Sequence, residues 1–197
     1  MKRIAIACTV ILLSFAASAQ VASGSAGKFY RDAKEYSKNI ALFNSKRFLF
    51  TNVFGLSSEN ELIQFEVIPL AAATSGELTT LLYKCDRTKQ EGLVLGFYGS
   101  YCNSDGSVSQ GYAYKNLEKE KATAFLNIIQ NAMNDNDRFL TDDYDNNNIY
   151  FSYDNIDVLI CKTANRFLIR LFWNGFDSNW DESAFKQSKK QFESKLQ

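Results

Sequence analysis

The alternation of apolar and polar residues predicts blocks of helix and strand along this chain. Near the start, one apolar stripe recurs at spacings of three and four, which predicts a first amphipathic helix. Its members are Phe29, Ala33, Tyr36, Ile40 and Phe43. Strand-like segments separated by turn residues follow, and they cover 47–56, 61–70, 78–87, 91–102 and 108–115. Connections this short join antiparallel neighbours, because a parallel crossover needs about a dozen residues or more.

The rest of the chain continues the same alternation of helix and strand. An apolar face over 118–134 predicts a second helix. Further strands are predicted at 149–153, 156–163 and 166–174. Asn179, with Glu182 three residues later, resembles a capping box and predicts the start of a third helix over 180–196. The order α-βββββ-α-βββ-α predicts an α+β fold, in which three helices accompany a large antiparallel sheet of about eight strands.

The segment 61–70 has the pattern of a strand close to a sheet edge. Ile63, Phe65 and Val67 alternate with polar residues, which indicates that one face of this strand contacts water. Pro69, the only proline of the chain, suits the end of such a strand because it cannot donate a hydrogen bond to a neighbour.

The N-terminal residues have the features of an export signal. A basic start at Lys2 and Arg3 precedes the apolar run 4–17, which is too short for a membrane span. The small residues at 17–19 match a signal peptidase site, with Gln20 as the first mature residue. The predicted organisation is a cleaved signal peptide over 1–19, a flexible leader over 20–27 and a single α+β domain over 28–197.

The cysteines of the mature chain raise the question of a disulfide. An exported protein meets an oxidising compartment, so one disulfide and one thiol are expected, with three buried free thiols as the alternative. A hairpin that turns near 89–90 places Cys85 opposite Val94. Cys102 then lies about 27 Å farther along the strand, beyond the reach of a disulfide. Any bridge is therefore expected to involve Cys161.

Composition and charge exclude several functional classes. The formal net charge is zero, and removal of Lys2 and Arg3 leaves about −2, so no basic surface for nucleic acid is predicted. The chain contains no histidine, which excludes Ser-His-Asp and Cys-His catalysis and the common histidine-containing zinc sites. Carboxylate chemistry, as in glycoside hydrolysis, is what remains for an enzyme.

A stretch rich in Asn and Asp resembles a calcium-binding loop. Oxygen-bearing side chains at its first, third and fifth positions, and an acid at the twelfth, match the spacing of such loops. The candidate ligands are Asp143, Asp145, Asn147 and Asp154. Asn148 stands where these loops carry glycine, and Asp154 also suits a hairpin turn. A solvated loop, in which Asn and Asp stabilise turns, is the alternative.

A second candidate site lies at 173–180, where two tryptophans bracket a short loop. Exposed aromatic rings beside Asn and Asp can stack on a sugar ring or anchor a protein partner. The candidate ligand-binding residues are Trp173, Phe176, Asp177 and Trp180. Core packing is the alternative, since Trp173 continues an apolar strand face and Trp180 begins the apolar stripe of the last helix.

Together, these features predict an exported, soluble, non-catalytic domain that binds a protein partner or a small ligand in the bacterial cell envelope or outside the cell. Its expected location is the periplasm or the exterior, after cleavage near Ala19-Gln20. A carboxylate-dependent glycan hydrolase and a calcium-stabilised structural module are the alternatives. No cofactor other than calcium is predicted. The identity of the ligand and the oligomeric state stay open.

Overall fold

The computed structural model describes residues 42–55, 62–140 and 146–196. Within these ranges it confirms the α+β fold, with an eight-stranded antiparallel sheet and helices before, between and after two sets of strands. Helix α1 covers residues 42–52. The other elements follow in this order: β1 Glu66–Ala72, β2 Leu78–Cys85, β3 Gln90–Cys102, β4 Val108–Glu118, α2 Lys119–Asp135, β5 Ile149–Tyr153, β6 Ile156–Thr163, β7 Arg166–Trp173, β8 Phe176–Asp181 and α3 Glu182–Lys195.

Residues 47–52 are helical, whereas the apolar pattern predicted a strand over 47–56. A short apolar run fits either period. The helical period prevails because Ser45 and Leu49, one turn apart, are both fully buried. Several predictions lie outside the described residues: the signal peptide over 1–19, the leader over 20–27, and Phe29, Ala33, Tyr36 and Ile40 of the predicted first helix.

The sheet consists of two antiparallel meanders, each followed by a helix. Strands β1 to β4 lead into α2, and strands β5 to β8 lead into α3. The strand order is β1-β2-β3-β8-β7-β6-β5, and β4 pairs with β3. β3 also pairs with β2 and, where Tyr101 faces Phe176, with β8. β3 is therefore the strand that joins the two halves of the sheet.

Strand β8 occupies residues that the sequence placed in a loop and a helix start. The β7–β8 turn consists of Asn174 and Gly175, whose φ angles of 50° and 79° suit a tight two-residue hairpin. Gly175 also permits close approach to β3, because a Cβ atom there would lie 2.3 Å from the carbonyl oxygen of Cys102. The N-cap of α3 is consequently Asp181 at the end of β8, not Asn179 as predicted.

The β2–β3 hairpin has a different register from the predicted one. Cys85 pairs with Gln90 and not with Val94, so the turn covers 86–89 and is centred earlier in the chain. This turn contains no Gly, Asn or Pro that would mark its position in the sequence. Cys102 therefore lies even farther from Cys85 along β3 than predicted. All three cysteines of the described residues are free thiols.

The two faces of the sheet are covered by different helices. α2 and α3 pack on one face, and their buried side chains join a single core cluster with Leu93, Leu95 and Phe97 of β3. On the opposite face, Phe54 follows α1 and packs against Tyr83, with 5.9 Å between the ring centroids. Because both faces are covered, the central part of β3 is fully buried.

β1 forms one edge of the sheet, as the pattern in 61–70 indicated. The strand begins at Glu66, so Pro69 lies in its middle and not at its end. A register shift between Pro69 and Ala71 accommodates the missing N–H group, which is the usual way for an edge strand to include proline.

Candidate functional site

A surface groove of 410 Å³ lies beside the first turn of α3, and we call it the α3 groove. Segments far apart in the sequence form its walls: the β1–β2 turn, the start of β7, the end of β8 and the start of α3. Its lining residues are Thr74, Arg166, Phe167, Asp181, Glu182, Ser183 and Lys186. Both strand meanders thus contribute to the groove.

Asp181 connects three walls of the groove through its carboxylate. Oδ1 caps α3 by accepting hydrogen bonds from the Ala184 N–H at 3.0 Å and the Ser183 hydroxyl at 2.5 Å. Oδ2 accepts from the Thr74 N–H at 2.7 Å, which ties the β1–β2 turn to the end of β8. Burial alone raises the pKa of Asp181, but these hydrogen bonds outweigh it and lower the pKa to about 2.

The neighbouring Glu182 ties the start of β7 to α3 in the same manner. Its Oε2 accepts a hydrogen bond from the Phe167 N–H at 3.0 Å, and its Oε1 accepts one from the Lys186 ammonium at 2.5 Å. Burial raises the pKa of Glu182, yet the contacts with Lys186 and Phe167 prevail and lower it overall. Both groove carboxylates are therefore ionised at neutral pH and already accept hydrogen bonds from the protein.

The start of β7 contributes to the α3 groove a positive charge that is not paired within the described residues. Arg166 is exposed, and its guanidinium makes no hydrogen bond or ion pair within the described ranges. The neighbouring Phe167 is half-buried, and the Lys162 ammonium lies 5.2 Å from its ring centroid. Lys162 and Lys186 are both paired, with Asp137 and Glu182. Among the described residues, the groove therefore offers one unpaired guanidinium beside an aromatic ring, a combination that suits a planar anion.

A smaller groove of 240 Å³ lies at the β1–β2 edge of the sheet. Its lining residues are Gln64, Phe65, Glu66, Lys84 and Asp86. The Lys84 ammonium donates to the carbonyl oxygen of Lys195, so the cation of this groove is engaged within the protein. The α3 groove is consequently the better candidate for a ligand site.

The aromatic residues predicted to bind a ligand occupy different environments. Trp180 and Phe176 are only 1% and 3% exposed and belong to the core cluster. Trp173 is half-buried and packs against Phe97, with ring centroids 5.2 Å apart. Asp177 is exposed and forms an ion pair with Arg170 across β7 and β8. The structure brings Trp173 and Phe176 together around Phe97, whereas Trp180 packs against Phe185 of α3. Their role in ligand binding stays a prediction.

The predicted calcium ligands are only partly within the described residues. Asp143 and Asp145 lie outside them, and Asn147 is half-buried ahead of β5. Asp154 forms the β5–β6 turn with a φ of 49°. Its carboxylate contacts the ammonium groups of Lys115 at 2.7 Å and Lys121 at 2.8 Å, and their hydrogen bonds lower its pKa. Within the described part, no cluster of three or more acidic or cysteine side chains could hold a metal. Calcium binding stays a prediction.

Neither Asp181 nor Arg166 belonged to the residues predicted from the sequence. Asp181 could have been found, because an Asp directly before Glu-Ser-Ala is a helix-start signal. Arg166 has no such signal, since it is one exposed cation beside a hairpin turn. Its significance depends on the Asp181 and Glu182 contacts, which join segments distant in the sequence.

No family model, curated protein or solved structure matches this chain. Among the described helices, none has both the length and the apolar content of a membrane-spanning segment. A functional assignment therefore rests on the chemistry of the α3 groove.

Proposed function

We propose that this chain is an exported, non-catalytic domain whose α3 groove binds a small ligand through a carboxylate group. The groove volume of 410 Å³ falls within the range of about 300 to 1,000 Å³ that small-molecule sites occupy. A guanidinium is the side chain best matched to a carboxylate, because its N–H groups can donate two parallel hydrogen bonds.

The observation that carries this proposal is the imbalance between donors and acceptors in the groove. Asp181 and Glu182 accept hydrogen bonds from protein groups on both carboxylate oxygens. Arg166 has no such partner within the described residues. A ligand that enters therefore finds a cationic donor available and the nearby carboxylates occupied. This favours a ligand that supplies acceptor atoms to the guanidinium.

The same contacts favour binding over hydrolysis. A glycoside hydrolase needs one carboxyl group that stays protonated near neutral pH and can donate a proton to the leaving group. Asp181 and Glu182 are adjacent in the groove, but the pKa of each is lowered and not raised. Both are ionised at neutral pH, so neither suits the role of general acid.

The proposed location follows from the N-terminal sequence. The basic residues Lys2 and Arg3, the apolar run 4–17 and the small residues at 17–19 support export with cleavage before Gln20. The domain would then act in the periplasm or outside the cell, where it would meet small carboxylates or an acidic partner. Mass spectrometry of the protein recovered after export tests this, since the mature N-terminus is expected at Gln20.

The binding proposal is tested by isothermal titration with succinate as the probe. One guanidinium contact with a small dicarboxylate is expected to give a Kd on the order of 1 mM. Arg166→Gln removes the cation from an exposed position and is expected to weaken binding about tenfold. Arg138→Gln is the matched control, because Arg138 is also exposed but does not line the groove. Equal affinity of the Arg166→Gln variant and the native protein would contradict the proposal.

A further inference from the structure

Strand β4 forms a long edge of the sheet. The strand order places three strands at edges, β1, β4 and β5, and within the described residues β4 pairs only with β3. An edge strand presents a row of backbone N–H and C=O groups to which another strand can add, so proteins commonly shorten or interrupt their edges. The three edges of this sheet differ in that respect.

Two of the three edges carry such protection. β1 contains Pro69 with a register shift next to it, and β5 has only five residues. β4 has eleven residues, contains no proline and keeps an unbroken register with β3 from Val108 to Glu118. Its first charged residue is Lys115, so the stretch 108–114 carries no charge that would repel a second strand.

The hairpin between β3 and β4 shows which backbone groups of β4 point outwards. The Asn103 N–H donates to the carbonyl oxygen of Ser107 at 2.8 Å, and these two residues continue the register in which Cys102 pairs with Val108. Hydrogen-bonded and non-hydrogen-bonded pairs alternate in an antiparallel ladder, so the odd-numbered residues of β4 bond to β3. The backbone groups of Val108, Gln110 and the other even-numbered residues therefore point away from β3.

The side chains along the same stretch also suit a contact with another strand. Val108 is 70% exposed and Tyr112 is 46% exposed, and the exposed Gln110 lies between them on the same face. A β-branched residue opposite an aromatic residue stabilises a pair of strands. A second strand at this edge would therefore cover apolar side chains as well as engage backbone groups.

The strand that fits this edge is β4 of a second copy. Antiparallel pairing about a two-fold axis is self-complementary, because each strand presents the same groups to the other, and the assembly closes as a dimer. An axis at Gln110 places Val108 of each copy opposite Tyr112 of the other, so that the hydrogen-bonded residues are the even-numbered ones. No like charges meet there, because the stretch 107–113 contains no charged residue.

We propose that this chain forms a two-fold symmetric dimer in which the β4 edges of two copies pair antiparallel around Gln110. The contact covers residues 107–113 of each copy and joins the two sheets into one. The α3 groove contributes no residue to this contact, so the dimer is tested independently of the proposed ligand binding.

Sedimentation equilibrium of the chain from Gln20 onwards tests the dimer, which is expected to predominate at about 100 µM. Gln110→Pro removes the outward N–H and leaves the odd-numbered residues that bond to β3 unchanged. It is expected to raise the dissociation constant of the dimer at least about tenfold, since each copy loses one donor. Gln110→Ala is the matched control, because it removes the same side chain and keeps the N–H group. Circular dichroism checks that both variants are folded.

Three sedimentation results would overturn the dimer or its edge pairing. The first is a native chain that stays monomeric at about 100 µM. The second is a dimer whose dissociation constant is the same in Gln110→Pro and in the native chain. The third is equal weakening in Gln110→Pro and Gln110→Ala, since the side chain and not the backbone would then hold the copies together.

Amide hydrogen exchange of the native chain gives a test that needs no variant. The Val108 and Gln110 amides are expected to exchange slowly in the dimer and quickly after dilution to the monomer. The Ser109 and Gly111 amides serve as the internal control, because they face β3 and are expected to stay protected at both concentrations. Fast exchange of Val108 and Gln110 in the dimer, or slow exchange in a sample that sedimentation shows to be monomeric, would overturn the edge pairing.

Discussion

Replacing Asp181 with alanine tests how the α3 groove is held together. The Asp181 carboxylate accepts hydrogen bonds from the Ala184 N–H, the Ser183 hydroxyl and the Thr74 N–H. Alanine removes all three acceptor contacts while keeping the helical backbone favourable. The end of β8, the start of α3 and the β1–β2 turn would then lose their common partner.

The expected loss of stability follows from these contacts. Loss of a helix N-cap costs about 1 kcal/mol. The hydrogen bond from Thr74 to a charged acceptor contributes about another 1 kcal/mol, because the site is only partly buried. The free energy of unfolding is therefore expected to fall by about 2 kcal/mol at pH 7.

Part of the stability lost in the Asp181→Ala variant depends on pH. The lowered pKa of Asp181 determines the direction of this dependence. The pKa of Asp181 is about 2 in the folded protein against 3.8 ordinarily. The ionised carboxylate therefore stabilises the fold fully above about pH 5, and this contribution is lost as the pH falls through 4 towards 2. Solvent screening of the partly exposed side chain limits the pH-dependent part to about 1 to 2 kcal/mol.

Urea denaturation followed by tryptophan fluorescence measures the effect, since Trp180 is buried next to the substituted position. The native protein and Asp181→Ala are compared at pH 7, 5 and 3. Asp86→Ala is the matched control, because Asp86 is exposed and makes no side-chain hydrogen bond within the described residues. A stability gap below about 0.5 kcal/mol at pH 7, or one of equal size at pH 3 and pH 7, would refute this account of Asp181.

Three further predictions concern the sheet and its cysteines. Asp154→Asn keeps a residue that tolerates the turn but removes both lysine ion pairs. The free energy of unfolding at low salt is therefore expected to fall by about 0.5 to 1 kcal/mol. An unchanged urea midpoint would contradict this. Gly92→Ala places a Cβ atom 2.3 Å from the carbonyl oxygen of Leu117, and a thermal melt is expected to show destabilisation of at least about 2 kcal/mol. A melt like that of the native protein would show that β3 and β4 can separate there. In native protein lacking residues 1–19, a thiol reagent is expected to modify the exposed Cys102 quickly, and the buried Cys85 and Cys161 only after unfolding. Fast modification of a second thiol would contradict the described burial.

Much of the fold could be predicted because most of its elements are encoded locally. The second helix was predicted over 118–134 and is observed as Lys119–Asp135, and the strands β5 to β7 lie close to their predicted bounds. Each of these elements has a clear apolar period between turn residues. Short connections then required antiparallel pairing, which is what the sheet has.

The errors occurred where the local signal fits two structures. The apolar run at 47–56 fits a strand as well as a helix, and its packing against the sheet decides between them. Asn174-Gly175 is a strong hairpin signal, but the aromatic residues around it suggested a ligand-binding loop. Strand β8 was missed for that reason, and the start of α3 was assigned to Asn179 and not to Asp181.

The α3 groove could not be predicted, because its contacts join distant parts of the chain. The hydrogen bond from Thr74 to Asp181 links residues 107 positions apart, and nothing in the sequence near either residue encodes it. The guanidinium of Arg166, unpaired among the described residues, becomes informative only when the neighbouring carboxylates are known to accept hydrogen bonds from the protein. Such a site depends on the fold as a whole.

The central claim is that the α3 groove binds a carboxylate, and an NMR titration of the native protein with succinate tests it most directly. Saturable shifts are expected for the backbone amides of the groove residues Thr74, Arg166, Phe167 and Ser183. Arg138, outside the groove, is expected to remain unshifted. Saturable shifts that map elsewhere, or no saturable shifts at succinate concentrations well above about 10 mM, would contradict the claim.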